Sequence, residues 1–247
     1  MGDRSENDGP LAPAAYGSFA ERYDAIAPTK PHNALYERPA TLALLGDVRG
    51  LNVLDAGCGS GILSEILARA GAKVTGFDVT PEMIALARRR CAGLAVELHA
   101  GDLSRPLDWI ADDSLDRVVS SLAFDYVERL EPAFRELHRV ARPGAVFVFS
   151  MGHPMRDWQD PRSRGGKTYF ETNRWGMHWG GFGEPKPYVE SYRRPLGDIL
   201  NGLADAGWLV EKFVEPLPVP EMAEADPEHF EELSVSPAFL CIRARKQ

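Results

Sequence analysis

Between residues 52 and 150 the chain alternates short apolar runs with stretches of helical periodicity, joined by links of a few residues. That alternation leaves little choice of architecture. Consecutive strands lie parallel, crossovers are right-handed, and helices cover both sheet faces. Residues 52–56 (NVLDA) read as a buried strand running into a tight bend, Gly57-Cys58-Gly59-Ser60-Gly61. A helix is expected over 62–70, with Ile62, Ile66 and Leu67 on one side and Gly71 as its stop. Further strands are expected at 73–77, 95–99, 116–120 and 145–150, the last following a turn at Arg142-Pro143-Gly144. Helices are expected at 81–90, opened by Thr80 and Pro81, and at 132–140, where Phe134, Leu137 and Val140 share a face.

The texture changes after Ser150. Residues 151–195 are rich in glycine, proline, arginine and aromatics, and hold Trp158, Trp175 and Trp179. Disordered segments are poor in aromatics, so this stretch reads as an inserted cap over the strand ends. A helix at 196–206 and strands at 208–214 and 238–245 close the sheet as an antiparallel edge pair. The link 215–237 looks too poor in helix signals to be a full crossover. The 247 residues thus suit one domain over 14–247, with a lid segment at 14–50 and a loose tail at 1–13.

Charge and cysteine usage narrow the partners. A net charge of −8 disfavours a nucleic-acid backbone, and the Arg88, Arg89 and Arg90 run reads as a solvated helix end. Cys58, Cys91 and Cys241 are scattered and lack metal-ligand spacing, so no metal is expected and a reducing cytoplasm fits. No stretch approaches the ~20 apolar residues of a membrane span. A small-molecule substrate is expected, with no nucleic acid and no membrane, and a homodimer is possible.

A glycine-rich bend between a first strand and its helix is a ligand site in such sheets, because the backbone can be approached closely and the helix N-terminus offers free N–H groups. Asp78 ends the second strand about 20 residues on, where its carboxylate can accept both hydroxyls of a ribose, or alternatively cap the next helix.

Dehydrogenases share those two features. The stretch Val53-Leu54-Asp55-Ala56-Gly57-Cys58-Gly59-Ser60-Gly61 instead resembles the first motif of the class I S-adenosylmethionine-dependent methyltransferases of small-molecule type, with Ile62 where a dinucleotide fingerprint has glycine. Gly76-Phe77-Asp78-Val79-Thr80-Pro81-Glu82-Met83-Ile84, Gly101-Asp102-Leu103, residues 116–122 and Arg142-Pro143-Gly144-Ala145 resemble later motifs in the same order. The resemblance implies a Rossmann-like, doubly wound α/β fold with a mostly parallel seven-stranded sheet and an antiparallel last strand. It implies S-adenosyl-L-methionine as cofactor. Asp55 would orient the cofactor's ammonium group, Val79 and Met83 would lie near the adenine, Asp102 would meet its amino group, and the Ser120 carbonyl would face the methionyl part. Ala56, Gly57, Cys58, Gly59, Gly101 and Leu103 complete that set. In relatives a helix before the first strand folds over the cofactor. Tyr16, Phe19 and Tyr23 share one helical face here, and Tyr23 is the expected cofactor contact.

His153, directly after the fifth strand, is the expected catalytic base, with pocket-shaping or turn-capping as its alternative. Tyr16, Asp125, Tyr126, Trp175 and His178 are expected to line the substrate pocket, whereas Arg193 and Arg194 are expected to be solvated. The acceptor atom is expected to be oxygen, then nitrogen or carbon. No Asn-Pro-Pro-Tyr-type motif follows the fourth strand, which counts against amide or exocyclic base nitrogen. Two other readings stay open: a nucleotide-dependent oxidoreductase, which should show a third glycine and a Tyr-x-x-x-Lys pair, and a non-catalytic cofactor-binding module.

Overall fold

The computed structural model describes residues 10–247. Two short helices, α1 (Leu11–Tyr16) and α2 (Ala20–Ile26), open the described chain, and a π-helical turn (Asn33–Glu37) runs into α3 (Arg38–Leu45). The single lid helix expected through 16–23 is therefore broken. Phe19 leaves helical angles (φ −135°, ψ 19°) just before α2 begins. The tail expected at 1–13 lies mostly outside the described residues, but Leu11 and Pro13 already belong to α1, with Leu11 buried.

The doubly wound unit follows: β1 (Asn52–Ala56), α4 (Ile62–Arg69), β2 (Lys73–Asp78), α5 (Pro81–Arg90), β3 (Val96–Ala100), β4 (Leu115–Ser121), a 3₁₀ turn (Phe124–Tyr126), α6 (Leu130–Val140) and β5 (Ala141–Gly152). The cap holds α7 (Pro154–Gln159), α8 (Pro161–Arg164) and a hairpin of β6 (Asn173–His178) and β7 (Tyr188–Arg193). Then come α9 (Leu196–Asp205), β8 (Trp208–Val214), α10 (Met222–Ala225), α11 (Pro227–Val235) and β9 (Phe239–Lys246). The link between β8 and β9 is thus partly helical. Asp226 followed by Pro227 is an ordinary helix start, and the Asp226 side chain accepts from the His229 N–H.

The seven-stranded sheet has the order β3-β2-β1-β4-β5-β9-β8. Neighbours from β3 through β5 are parallel, and β9 runs antiparallel between β5 and β8. Winding reverses direction at β1, so the C-terminal ends of β1 and β4 diverge around a crevice, where sheets of this kind hold ligands. Alternation along the strands divides the core. Leu54, Val118, Phe147 and Phe149 face α6 and α9 through Phe134, Leu137, Ile199 and Leu203, whereas Val53, Val119, Val146 and Val148 face α3 and α4 through Leu45, Leu63 and Leu67. Among the described residues no helix is long and apolar enough to cross a membrane.

Candidate active site

The bend after β1 is shaped by close approaches. The Gly57 and Cys58 N–H groups both donate to the Phe77 carbonyl at 2.9 Å, which draws the bend against the end of β2. Gly57 takes a φ of +77°, and a side chain there would meet the Ala123 Cβ at 2.5 Å. Gly61 has φ +80°, and a Cβ there would lie 3.0 Å from Ala87, so the bare glycine lets the start of α4 pack closely on α5. The Ser60 hydroxyl is buried beside this bend with no hydrogen-bond partner among the described residues.

Three carboxylates gather here. Asp78 accepts from the Gly59 N–H (2.9 Å) and the Thr80 N–H (2.8 Å), so it joins the bend to the start of α5. Asp55 is buried on the α4 face and accepts from Ser64 Oγ at 2.6 Å. Burial, with Asp78 and Glu37 as further like charges, pushes its carboxyl up to about 7. Glu37, from the π-helical turn, accepts from the hydroxyls of Thr41 (2.7 Å), Ser121 (2.9 Å) and Ser150 (2.5 Å). Leu103 also reaches the bend, 3.7 Å from where a Gly57 side chain would begin. The Gly101 N–H donates to the Asp78 carbonyl, and Asp102 accepts from the Ser104 N–H at 2.7 Å. Ser120 is fully buried, its hydroxyl on the Ala56 carbonyl at 2.7 Å. Met83 is buried under the lid with Ala20, Tyr16 and Tyr23, while Val79 stays half-buried.

The roof is aromatic and shared. Although the lid is two helices, Tyr16, Phe19 and Tyr23 still meet: Tyr16 stacks on Phe19 (5.4 Å between centroids) and stands edge-on to Tyr23 (5.2 Å). The cap supplies Phe182, stacked on Tyr23 at 5.6 Å, and Trp179, edge-on to Tyr16 at 6.0 Å. Tyr126 comes from the 3₁₀ turn, its hydroxyl 2.7 Å from that of Tyr16. The three tyrosines are deeply set yet keep some accessible surface. Burial and the negative charge of Asp78 raise all three phenols, Tyr23 to about 12. The lid is latched from outside. Arg89 pairs with Glu21, and Arg90 holds Asp24 (2.5 Å), Glu65 (3.4 Å) and the Ser60 carbonyl (3.0 Å). Arg90 is therefore half-buried and working, not solvated as its sequence context suggested.

Shortly before Tyr126 the chain leaves β4 through Leu122, a leucine at φ +53° whose N–H donates to the Ser150 carbonyl. This kink delivers Asp125 opposite Gly152, whose N–H donates to both carboxylate oxygens (3.2 and 3.1 Å). Asp157, from α7, converges on the same spot. A Cβ on Gly152 would lie 3.2 Å from an Asp157 oxygen and 3.5 Å from an Asp125 oxygen. Burial pushes Asp125 up to about 6, and burial plus Asp125 pushes Asp157 up to about 8. Asp157 takes no side-chain hydrogen bond among the described residues, and its proximity was not anticipated, since residues four apart on α7 gave no spacing signal toward Asp125.

Other expected substrate residues separate. His153 is buried, but both ring nitrogens are engaged: Nε2 with Glu215 at 2.9 Å, and Nδ1 accepting from the Met155 N–H at 3.3 Å, so it caps α7. In the hairpin, Trp175 shares the inner face with Met177, Val189 and Arg193, and its indole N–H is buried without a partner among the described residues. His178 has the opposite parity. It is exposed, 5.2 Å from the Tyr188 ring, which sets it apart from the aromatic roof. Arg193 and Arg194 are buried rather than solvated. Arg193 donates to the carbonyls of Ser163, Thr168, Tyr169 and Glu171, and Arg194 to those of Val127 and Glu128.

Residues 54–149 match the family model of a methyltransferase domain. A malonyl-[acyl-carrier protein] O-methyltransferase of Pseudescherichia vulneris is 35% identical over 68% of this chain and 69% of its own length. The chain belongs to the class I S-adenosylmethionine-dependent methyltransferases. A ubiquinone biosynthesis O-methyltransferase of Xanthomonas oryzae is 32% identical over 55% of this methyltransferase and 58% of the relative. Several other curated relatives are likewise matched over about half their own length. A solved S-adenosylmethionine-dependent methyltransferase of Mesorhizobium loti superposes with a TM-score of 0.68 at 30% identity, over 85% of this chain and 97% of that one. The oxidoreductase reading is thereby set aside. The methyltransferase's own residues fit its cofactor. An orphaned buried hydroxyl at Ser60 and a carboxyl at Asp55 held up by burial and by neighbouring carboxylates suit a ligand bearing an ammonium and a sulfonium.

Proposed function

We propose that this methyltransferase acts on a hydroxyl group of a small apolar or aromatic metabolite, with the Asp125–Asp157 carboxyl pair accepting the hydroxyl proton. The observation that carries the reading is the meeting of both carboxyls at Gly152, with Asp125 next in sequence to Tyr126 of the lid and cap aromatic cluster. When bound, S-adenosylmethionine supplies the activated methyl group. Asp78 holds the ribose hydroxyls, since each oxygen keeps acceptor capacity beyond its backbone N–H. Asp55 orients the ammonium and Asp102 the adenine amino group, with Val79, Met83 and Leu103 beside the ring. Ala56, Gly57, Cys58, Gly59, Gly101 and Ser120 line the cradle, and Tyr23 closes it.

Alignment and water exclusion by the roof contribute up to about 7–11 kcal/mol in ideal cases. A placed base adds about 10²–10⁴-fold for a hydroxyl acceptor. Two carboxyls that close cannot both ionise near neutrality, so the pair carries one proton and one charge and can take a second proton. His153, committed to Glu215 and to the α7 cap, is the poorer candidate for that step. An anionic acceptor would meet like charge at this floor, so a phenol or alcohol fits better than a carboxylate. Two of the similar proteins are O-methyltransferases by name, which supports oxygen as the acceptor atom but not a hydroxyl over a carboxyl. Trp175 offers a free N–H for orientation, with Tyr16 and Tyr126 flanking. An amine is the second reading, because the pair would also hold an ammonium. The net charge of −8 favours a small metabolite over nucleic acid, and three buried free cysteines fit a reducing compartment such as the cytoplasm.

The test is transfer of labelled methyl from S-adenosylmethionine to a panel of phenols, alcohols, amines and carboxylates. Label is expected on a hydroxyl compound. Asp157→Asn is expected to lower kcat by roughly 100-fold with S-adenosylhomocysteine affinity within about twofold. Preferred methylation of a carboxylate, undiminished in Asp125→Asn and Asp157→Asn, would overturn the proposal.

A further inference from the structure

Away from the carboxyl pair, two segments distant in sequence bring a different set of donors together. His32 lies between α2 and the π-helical turn. Asp226 and His229 stand at the start of α11. Each offers one ligand atom, and the three atoms lie within 4.8 Å of one another. The His32 and His229 rings are 4.5 Å apart between centroids and steeply inclined to each other rather than stacked flat. Asp226 reaches His229 Nδ1 with both oxygens, at 2.9 and 2.8 Å.

We propose that His32, Asp226 and His229 form a binding site for a divalent transition metal of the zinc class. Two imidazoles and one carboxylate are a donor set that suits zinc, nickel or cobalt and is poor for magnesium or calcium, which prefer all-oxygen shells. Bonds of about 2.0–2.2 Å set tetrahedral donors roughly 3.4 Å apart, so the three donor atoms need to draw in by little more than an ångström from their present separations. The backbone beneath is already fixed. Tyr36, Met222 and Leu233 form a buried cluster joining the π-helical turn to α10 and α11, the Tyr36 hydroxyl accepts from the Ala238 N–H at 3.0 Å, and the Val219 N–H donates to the Leu35 carbonyl. The site is half-buried, which leaves a fourth position for water. Among nearby charges, Glu232 is paired with Arg156 and the Lys30 ammonium sits over the Phe182 ring, so neither occupies the site. A bound ion would fasten the segment leaving the lid to α11. That helix is in turn joined to α7 of the cap by Arg156 and Glu232.

The experiment is calorimetric titration of the tag-free full chain with zinc, and separately with cobalt, alongside melting curves. One equivalent per chain is expected, with a rise in Tm that follows mass action. His32→Ala and His229→Ala are each expected to weaken zinc by more than tenfold, since even outer partners of a metal ligand are worth about 10–100-fold. Asp226→Asn keeps a good helix cap and so reports ligand loss in a folded chain. It is expected to weaken zinc to a similar degree, whereas His178→Ala, on the exposed hairpin face, leaves it unchanged. Absence of saturable binding, or binding unaltered in folded Asp226→Asn and His229→Ala, would overturn the site.

Discussion

Asp55 shows how much a single side chain here depends on what approaches it. Free of ligand, it is a buried carboxyl raised from 3.8 to about 7, so near neutrality it is only partly ionised. A cationic ligand group would draw it fully into the charged form. S-adenosylhomocysteine affinity is therefore expected to weaken as pH falls from 8 to 6, and Asp55→Asn to flatten that dependence; calorimetry across the range checks it. Asp125 and Asp157 make the matching prediction for turnover. Below about pH 6 both hold protons and cannot accept another, so kcat/KM is expected to rise with pH between 5 and 7. His153→Ala should cost about 1 kcal/mol of stability through its cap and leave kcat within a few-fold. A hundredfold fall in kcat at unchanged cofactor affinity would restore His153 as the base. The positions of Asp55 and Asp78 beside the glycine bend were legible because each lies at or next to the end of a strand whose register is forced. Asp157 was not, since its meeting with Asp125 is created by the Leu122 kink and the bare Gly152, and neither leaves a periodic trace.

At the scale of elements, what the sequence carried well was everything held by local periodicity. β1, α5 and β8 fall on their expected boundaries, and the other strands of the main sheet lie within a few residues. The failures share a cause. The lid broke at Phe19 because its rings pack against Phe182 and Tyr126, partners more than 100 residues away, and α10 and α11 were missed because their apolar residues face Tyr36 rather than the main sheet. Long-range packing outweighed the local pattern. Parity in the hairpin was readable but unused: Trp175 and His178 are three apart on one strand and cannot share a face. Trp175→Ala is accordingly expected to raise KM severalfold and His178→Ala to change neither KM nor kcat, in steady-state assays with the acceptor that the panel identifies. The Arg90 latch belongs to this scale too. Arg90→Leu removes three contacts at once, and a loss of cofactor affinity of about 1–2 kcal/mol is expected, with a double-mutant cycle against Asp24→Asn recovering the shared part.

For the whole molecule, the raised carboxyls impose a direction on stability. Asp55, Asp125 and Asp157 hold protons in the folded state that the unfolded chain releases near pH 4. Their contribution is present below that pH and is lost as pH rises through about 6, 7 and 8. Asp55 alone amounts to about 4 kcal/mol at most, so the cofactor-free Tm is expected to fall on the order of 10 °C from pH 5 to 8.5, and less with S-adenosylmethionine bound. A flat melting profile would contradict that electrostatic picture. The shared roof carries a kinetic consequence as well. Tyr16, Tyr23, Tyr126, Trp179 and Phe182 belong to one cluster, so lid, cap and 3₁₀ turn are packed together above the proposed cradle and acceptor site. Under the proposed function both spent cofactor and methylated product leave only when that joint packing loosens, so turnover is expected to slow in viscous solvent, which steady-state rates in added glycerol would check.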